Sequence, residues 1–249
     1  MKKANKLFQE GKYHAALECY DKIVETDSKH VKALYGRGLV LIKLGKYKEA
    51  LNANENVLKI DPSYADAWNS KFRILENLGR HEEALKSYNK FIELNTENTD
   101  TWVSMGSYLG KLKRYEESLK CFKKALELDK KNVKAWYLKG LTLMELDRYE
   151  EALQCYDIVL SIDSDFDVAW NGKALIYGII GKYEEALECL NKALKMNPKR
   201  VDTWHDKGLA LKYLDKANDA LKCYEMALRL DPNFEPAQKA KEEILDSMQ

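Results

Sequence analysis

The chain has 249 residues, 45% hydrophobic and 33% charged, a balance that excludes intrinsic disorder and suits one large or two ordinary folded domains. Its 41 Lys and Arg stand against 40 Asp and Glu, so no global field draws it to nucleic acid or to an anionic membrane. No apolar run reaches the length of a bilayer span, and the first residues, with Lys2, Lys3, Lys6 and Glu10, lack the apolar core of a signal peptide, so the expected compartment is the cytoplasm.

Taken in order, the chain repeats itself. Residues 1–30 carry Ala16, Leu17 and Tyr20 at helical spacing and read as a truncated first unit. Met1 enters part-way along a helix, which leaves two readings open: a trimmed chain, or an end that associates. Residues 31–64 bring Leu34, Gly38, Tyr47, Ala50, Leu51 and Pro62. Residues 65–98 answer with Trp68, His81, Ala84, Leu85 and Tyr88, and 99–132 with Trp102, Gly106, Tyr115, Ser118, Leu119 and Phe122. Residues 133–166 hold Trp136, Gly140, Tyr149, Ala152, Leu153 and Tyr156. Trp170, Ala174, Tyr183, Ala186, Leu187 and Pro198 follow in 167–200, and Trp204, Gly208, Ala220, Leu221, Tyr224 and Pro232 in 201–234. Each landmark lies 34 residues from its predecessor. Within a unit, apolar and small residues fall at helical spacing twice, separated by a break such as Gly45-Lys46 or Gly181-Lys182. In 167–200 this predicts helices over about 168–180 and 184–196. Acid pairs such as Glu82-Glu83, Glu116-Glu117, Glu150-Glu151 and Glu184-Glu185 open the second helix, where they favour the positive end of its dipole. Residues 235–249 read as one further helix that caps the array, with Ala237, Ile244 and Leu245 turned inward.

The Trp, Gly, Tyr, Ala-Leu, aromatic and Pro positions, kept in phase over nearly the whole chain, resemble the tetratricopeptide repeat at its usual period of 34 residues. The resemblance implies an all-α fold: a right-handed α-solenoid of antiparallel helix pairs stacked into a superhelix, in a single array of six full repeats between the truncated repeat and the cap. It also implies a protein–protein interaction scaffold or adaptor that takes a peptide or protein segment in a concave groove lined by the first helix of each repeat. Three positions in 53–91 depart from the pattern, Phe72 in a small-residue slot, Asn54 in an aromatic one and Phe91 in one that is Ala or Val in most other repeats, which predicts a local repacking with Phe72 filling the space Asn54 leaves; Ala217 lacks the ring of the tyrosine slot.

Chemistry finds little purchase. Cys121, Cys155, Cys189 and Cys223 form a ladder with Cys19 in the same slot, but stacked helices lie about 8–10 Å apart, beyond the Cα separation of about 7 Å that a disulfide allows. No Cys or His pair has ligand spacing, among His14, His30, His81 and His205 included, so no metal is expected. Neither a phosphate-binding glycine loop nor a nucleophile elbow occurs, and the repeats leave no segment for a catalytic domain. No enzyme activity and no cofactor is expected. Inner-face slots mix Lys32, Lys134 and Lys212 with Asp66, Asp100 and Asp202, a poor match for RNA. An RNA-binding solenoid and a self-associating structural module, the latter through a terminal repeat, stand as rival readings.

On this register the groove slots carry Tyr35, Leu39 and Ile42, then Asn69, Arg73 and Asn77, then Val103, Ser107 and Lys111. They continue with Tyr137, Leu141 and Met144, then Asn171, Leu175 and Ile179, then His205, Leu209 and Tyr213. Tyr137 and Tyr213 are expected at the groove surface, while Leu141, Leu175 and Leu209 stay open between exposure and packing on a neighbouring helix. Asn69 and Asn171 suit a peptide backbone, and Arg73 a carboxylate. No three consecutive repeats supply the Lys and Asn pattern with which some relatives clamp an acidic chaperone tail, so a largely apolar contact is expected.

Overall fold

The computed structural model describes residues 1–247, all of whose regular structure is helical. Its contacts divide the chain into two compact units, Met1–Thr101 and Trp102–Gln249. The first contains α1 (Lys2–Gln9), α2 (Tyr13–Thr26), α3 (Val31–Lys43), α4 (Tyr47–Ile60), α5 (Ala65–Asn77) and α6 (His81–Leu94). Helix α7 (Thr99–Lys111) begins at the boundary. The second unit continues with α8 (Tyr115–Leu128), α9 (Val133–Met144), α10 (Tyr149–Ile162), α11 (Asp167–Ile179) and α12 (Tyr183–Met196). It ends with α13 (Val201–Tyr213), α14 (Ala217–Leu230) and α15 (Glu235–Ser247). Each unit is an all-α solenoid in which a first helix packs on the second helix that follows it, and that second helix on the first helix of the next pair.

The turn inside each pair is made the same way. The chain enters the left-handed region once per repeat, at Gly11, Gly45, Gly79 and Gly181 with φ between 70° and 77°, and at Lys113, Asp147 and Asp215 with φ 56–58°. One residue later an amide bonds back to a carbonyl of the helix just ended, as Lys46 N to Leu41 O at 2.9 Å and Arg148 N to Leu143 O at 2.9 Å. This closes the helix with a 6→1 bond of the kind glycine favours. Between pairs, a side chain makes the turn: Asp61, Asp129 and Asp231 each accept the amide two residues on, at 2.9–3.0 Å. Three of the tryptophans bolt that turn to the first helix. The indole N–H of Trp68 donates to Pro62 O, that of Trp136 to Lys130 O and that of Trp204 to Pro198 O, at 2.8–2.9 Å.

Packing between helices rests on one slot. Tyr156 of α10 is fully buried, between Gly140 of α9 and Gly172 of α11. A Cβ at Gly140 would lie 2.8 Å from its ring, and one at Gly172 2.7 Å. Both helices therefore approach the ring at backbone distance. Phe122 sits over Gly106 and Tyr224 over Gly208 in the same manner. Repeats of charge run beside this seam: Arg37–Asp21, Lys71–Glu55, Lys173–Asp157 and Lys241–Glu225 join a second helix to the next first helix across sixteen residues. These pairs are partly exposed and contribute little beyond fixing register.

Asn54 is fully buried and donates to Ala50 O at 3.0 Å, its Oδ1 unpartnered among the described residues, while the ring of Phe72 lies 4.4 Å from that of Tyr88. Two local expectations change. In α15, Ala237, Ala240 and Ile244 face inward and Leu245 is 42% exposed, because one helical step beyond Ile244 turns the side chain about 100° away. Val103, expected in the groove, is 1% exposed and packs in one cluster with Phe122, Ala125 and Leu126.

Two measurements test this packing. Replacing Gly140 or Gly172 with Ala would ordinarily gain about 1 kcal/mol of helix propensity. Here each is expected to lose about 1 kcal/mol net, since overpacking costs about 1–3 kcal/mol. The double variant is expected to lose more than the two losses added, because Tyr156 yields to one side only by pressing on the other. Gly178→Ala, inside α11 and with nothing within 4 Å of its new carbon, is the unobstructed control, expected to keep the propensity gain of up to about 1 kcal/mol. Trp136→Ala, which removes a half-buried ring and the bond to Lys130, is expected to cost about 3 kcal/mol in urea unfolding. A loss under about 0.5 kcal/mol would place that ring on the surface.

Candidate functional site

Successive first helices touch one another, α3 with α5 in the first unit, α9 with α11, α11 with α13 and α13 with α15 in the second. They therefore share a face, and the functional question is what that face carries.

In the second unit the face opens into a cleft of about 230 Å³ between α11 and α13. Ala174, Ala186, Leu190 and Ala210 form its depth, and Leu175, Ile179, Leu209 and Tyr213 its mouth. Leu175 is 44% exposed, Ile179 58% and Tyr213 62%, a concentration of exposed apolar surface in a chain whose other side chains of this size are mostly covered. The rings of Tyr183 and Tyr213 stack at one end, with centroids 4.7 Å apart and planes within 6°. Asp206 is the one charged residue of the lining, and its carboxylate lies 3.3 Å from the His205 ring.

A second cleft, of about 330 Å³, lies between α7 and α9. It is lined by Ser107, Lys111, Lys113, Tyr115, Leu141 and Glu145, with Phe122 at its floor. Subtracting 68 from the numbers of the apolar cleft returns these positions, so the two clefts are one site of the repeat, two repeats apart. The chemistry differs. Where Tyr183 stacks on Tyr213, Tyr115 donates to the Glu145 carboxylate at 2.9 Å, and that bond raises the Tyr115 hydroxyl above its ordinary pKa. Where Ile179 stands, Lys111 stands. In the first unit Tyr35 and Leu39 join Asn5, Tyr20 and Tyr64 around a cleft of about 310 Å³.

The residues expected on this face divide. Leu175, Leu209 and Tyr213 meet in the apolar cleft, and Leu141 in the polar one. Arg73 is exposed and Asn69 half-buried. Tyr137, by contrast, is half-buried with its ring against Phe166 and Tyr156 at 5.3 and 6.0 Å, and burial raises its hydroxyl pKa. Asn171 already accepts from Thr203 at 2.9 Å, and His205 packs on Tyr224 and Phe234. Tyr35 packs on Tyr64 and receives the Ser70 hydroxyl at 3.4 Å. These slots sit one turn nearer the helix start, where the neighbouring turn covers them. Tyr183 was not expected here, since it opens a second helix.

The thiols of Cys121, Cys155, Cys189 and Cys223 are buried, and desolvation pushes those of Cys121 and Cys155 up to about 11. They pack as small apolar groups at neutral pH. Among the described residues no cluster of His, Cys, Asp and Glu could hold a metal ion, and no helix is long and apolar enough to cross a membrane.

Comparison with known proteins follows this geometry. A family model described as tetratricopeptide repeat matches residues 99–132, 133–166, 168–200 and 201–234, and a second of the same description matches 41–98. Residues 1–57 match the model for subunit 3 of the anaphase-promoting complex, or cyclosome. No match was found among curated proteins. Among solved structures, the C-terminal part of a TPR repeat-containing protein from Cytophaga hutchinsonii is similar at a TM-score of 0.81 and 17% identity, over 96% of this chain and 98% of that one. A tetratricopeptide repeat protein from Parabacteroides merdae follows at 0.66 and 19%, over 98% and 96%. MamA from Desulfovibrio magneticus gives 0.61 and 21%, over 68% and 96%. One chain of the APC/C hetero-tetramer Cut9-Hcn1 gives 0.61 and 14%, over 97% of this chain and 48% of that one. With repeat models matching well over half of its residues, the chain belongs to the tetratricopeptide repeat family.

Proposed function

We propose that the protein is a non-catalytic interaction module that binds a peptide or protein segment along the face of its first helices. The observation that carries this reading is the apolar cleft between α11 and α13, with Leu175, Ile179 and Tyr213 open to solvent at its mouth. A soluble repeat would gain from polar residues at these slots, as the equivalent Ser107, Lys111 and Glu145 show. Exposed apolar surface with an aromatic rim is the composition of a protein-binding surface. Within the second unit Leu141 and Leu209 extend the contact, and Tyr137, Asn171 and His205 support it; Tyr35, Leu39, Asn69 and Arg73 are the corresponding contact residues of the first unit. The similarity to a chain of the Cut9-Hcn1 hetero-tetramer, itself a multi-chain assembly, fits such a role.

Capture from a lysate of the source organism, followed by cross-linking, tests the reading. Wild type is compared with a Leu175→Glu, Ile179→Glu variant, whose exposed substitutions should shift stability by less than about 0.5 kcal/mol each. A protein retained by wild type and lost by the variant is the expected result. Equal retention by both would move the interaction off this face.

A further inference from the structure

The two clefts are the same site of the repeat, yet one reaches deeper. The apolar cleft is lined down to Ala186 of the second helix, whereas the polar cleft stops at Phe122, above the equivalent Ser118. The difference traces to one slot. Phe122, Tyr156 and Tyr224 each press a ring onto a glycine of the preceding first helix, at Gly106, Gly140 and Gly208. At the equivalent place in residues 167–200 stand Leu190 and Ala174, both buried. The repeat here lacks its own ring, and the space opens to solvent between α11 and α13. A cavity of about 150 Å³ is enough to hold benzene. At about 230 Å³ and with an almost wholly apolar wall, this cleft takes an aromatic side chain.

The polar cleft adds a charge. Lys111 and Lys113 line it with no anionic partner among the described residues, and beside the one acid of the lining, Glu145, which accepts from Tyr115 and keeps its charge, they leave a net charge of +1. Lys113 also holds a left-handed backbone, φ 58°, at a position that is Gly or Asp in the other repeats. Lysine adopts this region at a cost of roughly 1 kcal/mol, which Asp and Gly largely avoid.

We infer that the partner is a segment carrying one aromatic side chain that enters the α11/α13 cleft in place of the missing ring, with a carboxylate toward Lys111 and Lys113. This rests on the proposed interaction role and specifies its ligand. Two repeat steps of about 10 Å each put the two anchors roughly 20 Å apart. At about 3.3 Å per residue, an extended segment spans that in about six residues. The aromatic anchor supplies affinity through desolvation, and the acidic one supplies register and attraction at a distance.

A display library of random twelve-residue peptides, selected on the full chain, tests the inference. Enriched peptides are expected to share one Phe, Tyr or Trp and, about six positions away, an Asp or Glu. Their affinity is then measured by fluorescence anisotropy on three variants, each checked by circular dichroism and thermal unfolding. Ala174→Gly with Leu190→Tyr restores the glycine and ring of Gly140 and Tyr156 or Gly208 and Tyr224, and should remain folded while weakening binding at least about tenfold, as loss of an interface anchor does. Lys111→Gln with Lys113→Gly should weaken it about threefold to tenfold and flatten its salt dependence. Leu175→Glu with Ile179→Glu reads the proposed function itself. Peptides that lose binding to this last variant but bind the ring-restored one as tightly as wild type would overturn the aromatic anchor and leave the interaction role standing. Peptides indifferent to all three variants, or no enrichment, would overturn both.

Discussion

In residues 99–166 and 201–234 the packing depends on an aromatic ring resting on a bare backbone. Tyr156 occupies the space between two first helices only because Gly140 and Gly172 present no side chain to it. The gain is large apolar burial at short interhelical distance. The constraint is that ring and glycine must be inherited together, sixteen residues apart in one direction or the other. A repeat that changes one member alone must adjust locally. Asn54 opposite Gly38 does so by bonding its own helix, and Phe72 does so by packing on Tyr88.

That constraint explains why so much of the fold could be read from residue spacing. Trp136, Gly140, Tyr149, Ala152 and Tyr156 each perform one geometric task per repeat, and a task repeated every 34 residues leaves a visible trace. The turn residues do the same, although Lys113, Asp147 and Asp215 hide in a position whose left-handed backbone glycine would have announced. The face of the first helices was less legible. Spacing assigns Tyr137, Asn171 and His205 to that face as readily as Leu175 and Tyr213, but whether a side chain at its edge is covered depends on what the next repeat supplies. Phe166, Thr203 and Phe234 supply the cover, and none belongs to the helix whose periodicity was read. Val103 failed for the same reason, covered by Phe122 and Ala135 of the following helices, and Leu245 because one helical step beyond Ile244 exchanges core and solvent.

The cleft between α11 and α13 shows how a repeat acquires individuality. Two residues depart from the packing rule, Ala174 and Leu190, and the vacated volume opens on the face that successive repeats share. Nearby, Ile179 and Tyr213 replace the lysine and glutamate of the equivalent site two repeats earlier, so apolar surface surrounds the opening. Stability and recognition thus draw on the same slot: filled from within, it joins helices, and left empty, it accepts a side chain from outside. Family membership alone identifies the scaffold, while the departures from its pattern mark where to look for the partner.

The most direct measurement of this account is a double-mutant cycle in urea unfolding on Ala174→Gly and Leu190→Tyr. The ring-on-glycine rule predicts that Leu190→Tyr alone is destabilising, because the Ala174 carbon stands where the ring must lie. It further predicts that adding Ala174→Gly reverses the loss, with a favourable coupling of about 1–3 kcal/mol. Additive effects, or a ring accepted equally well over alanine, would contradict the rule and the origin it assigns to the cleft.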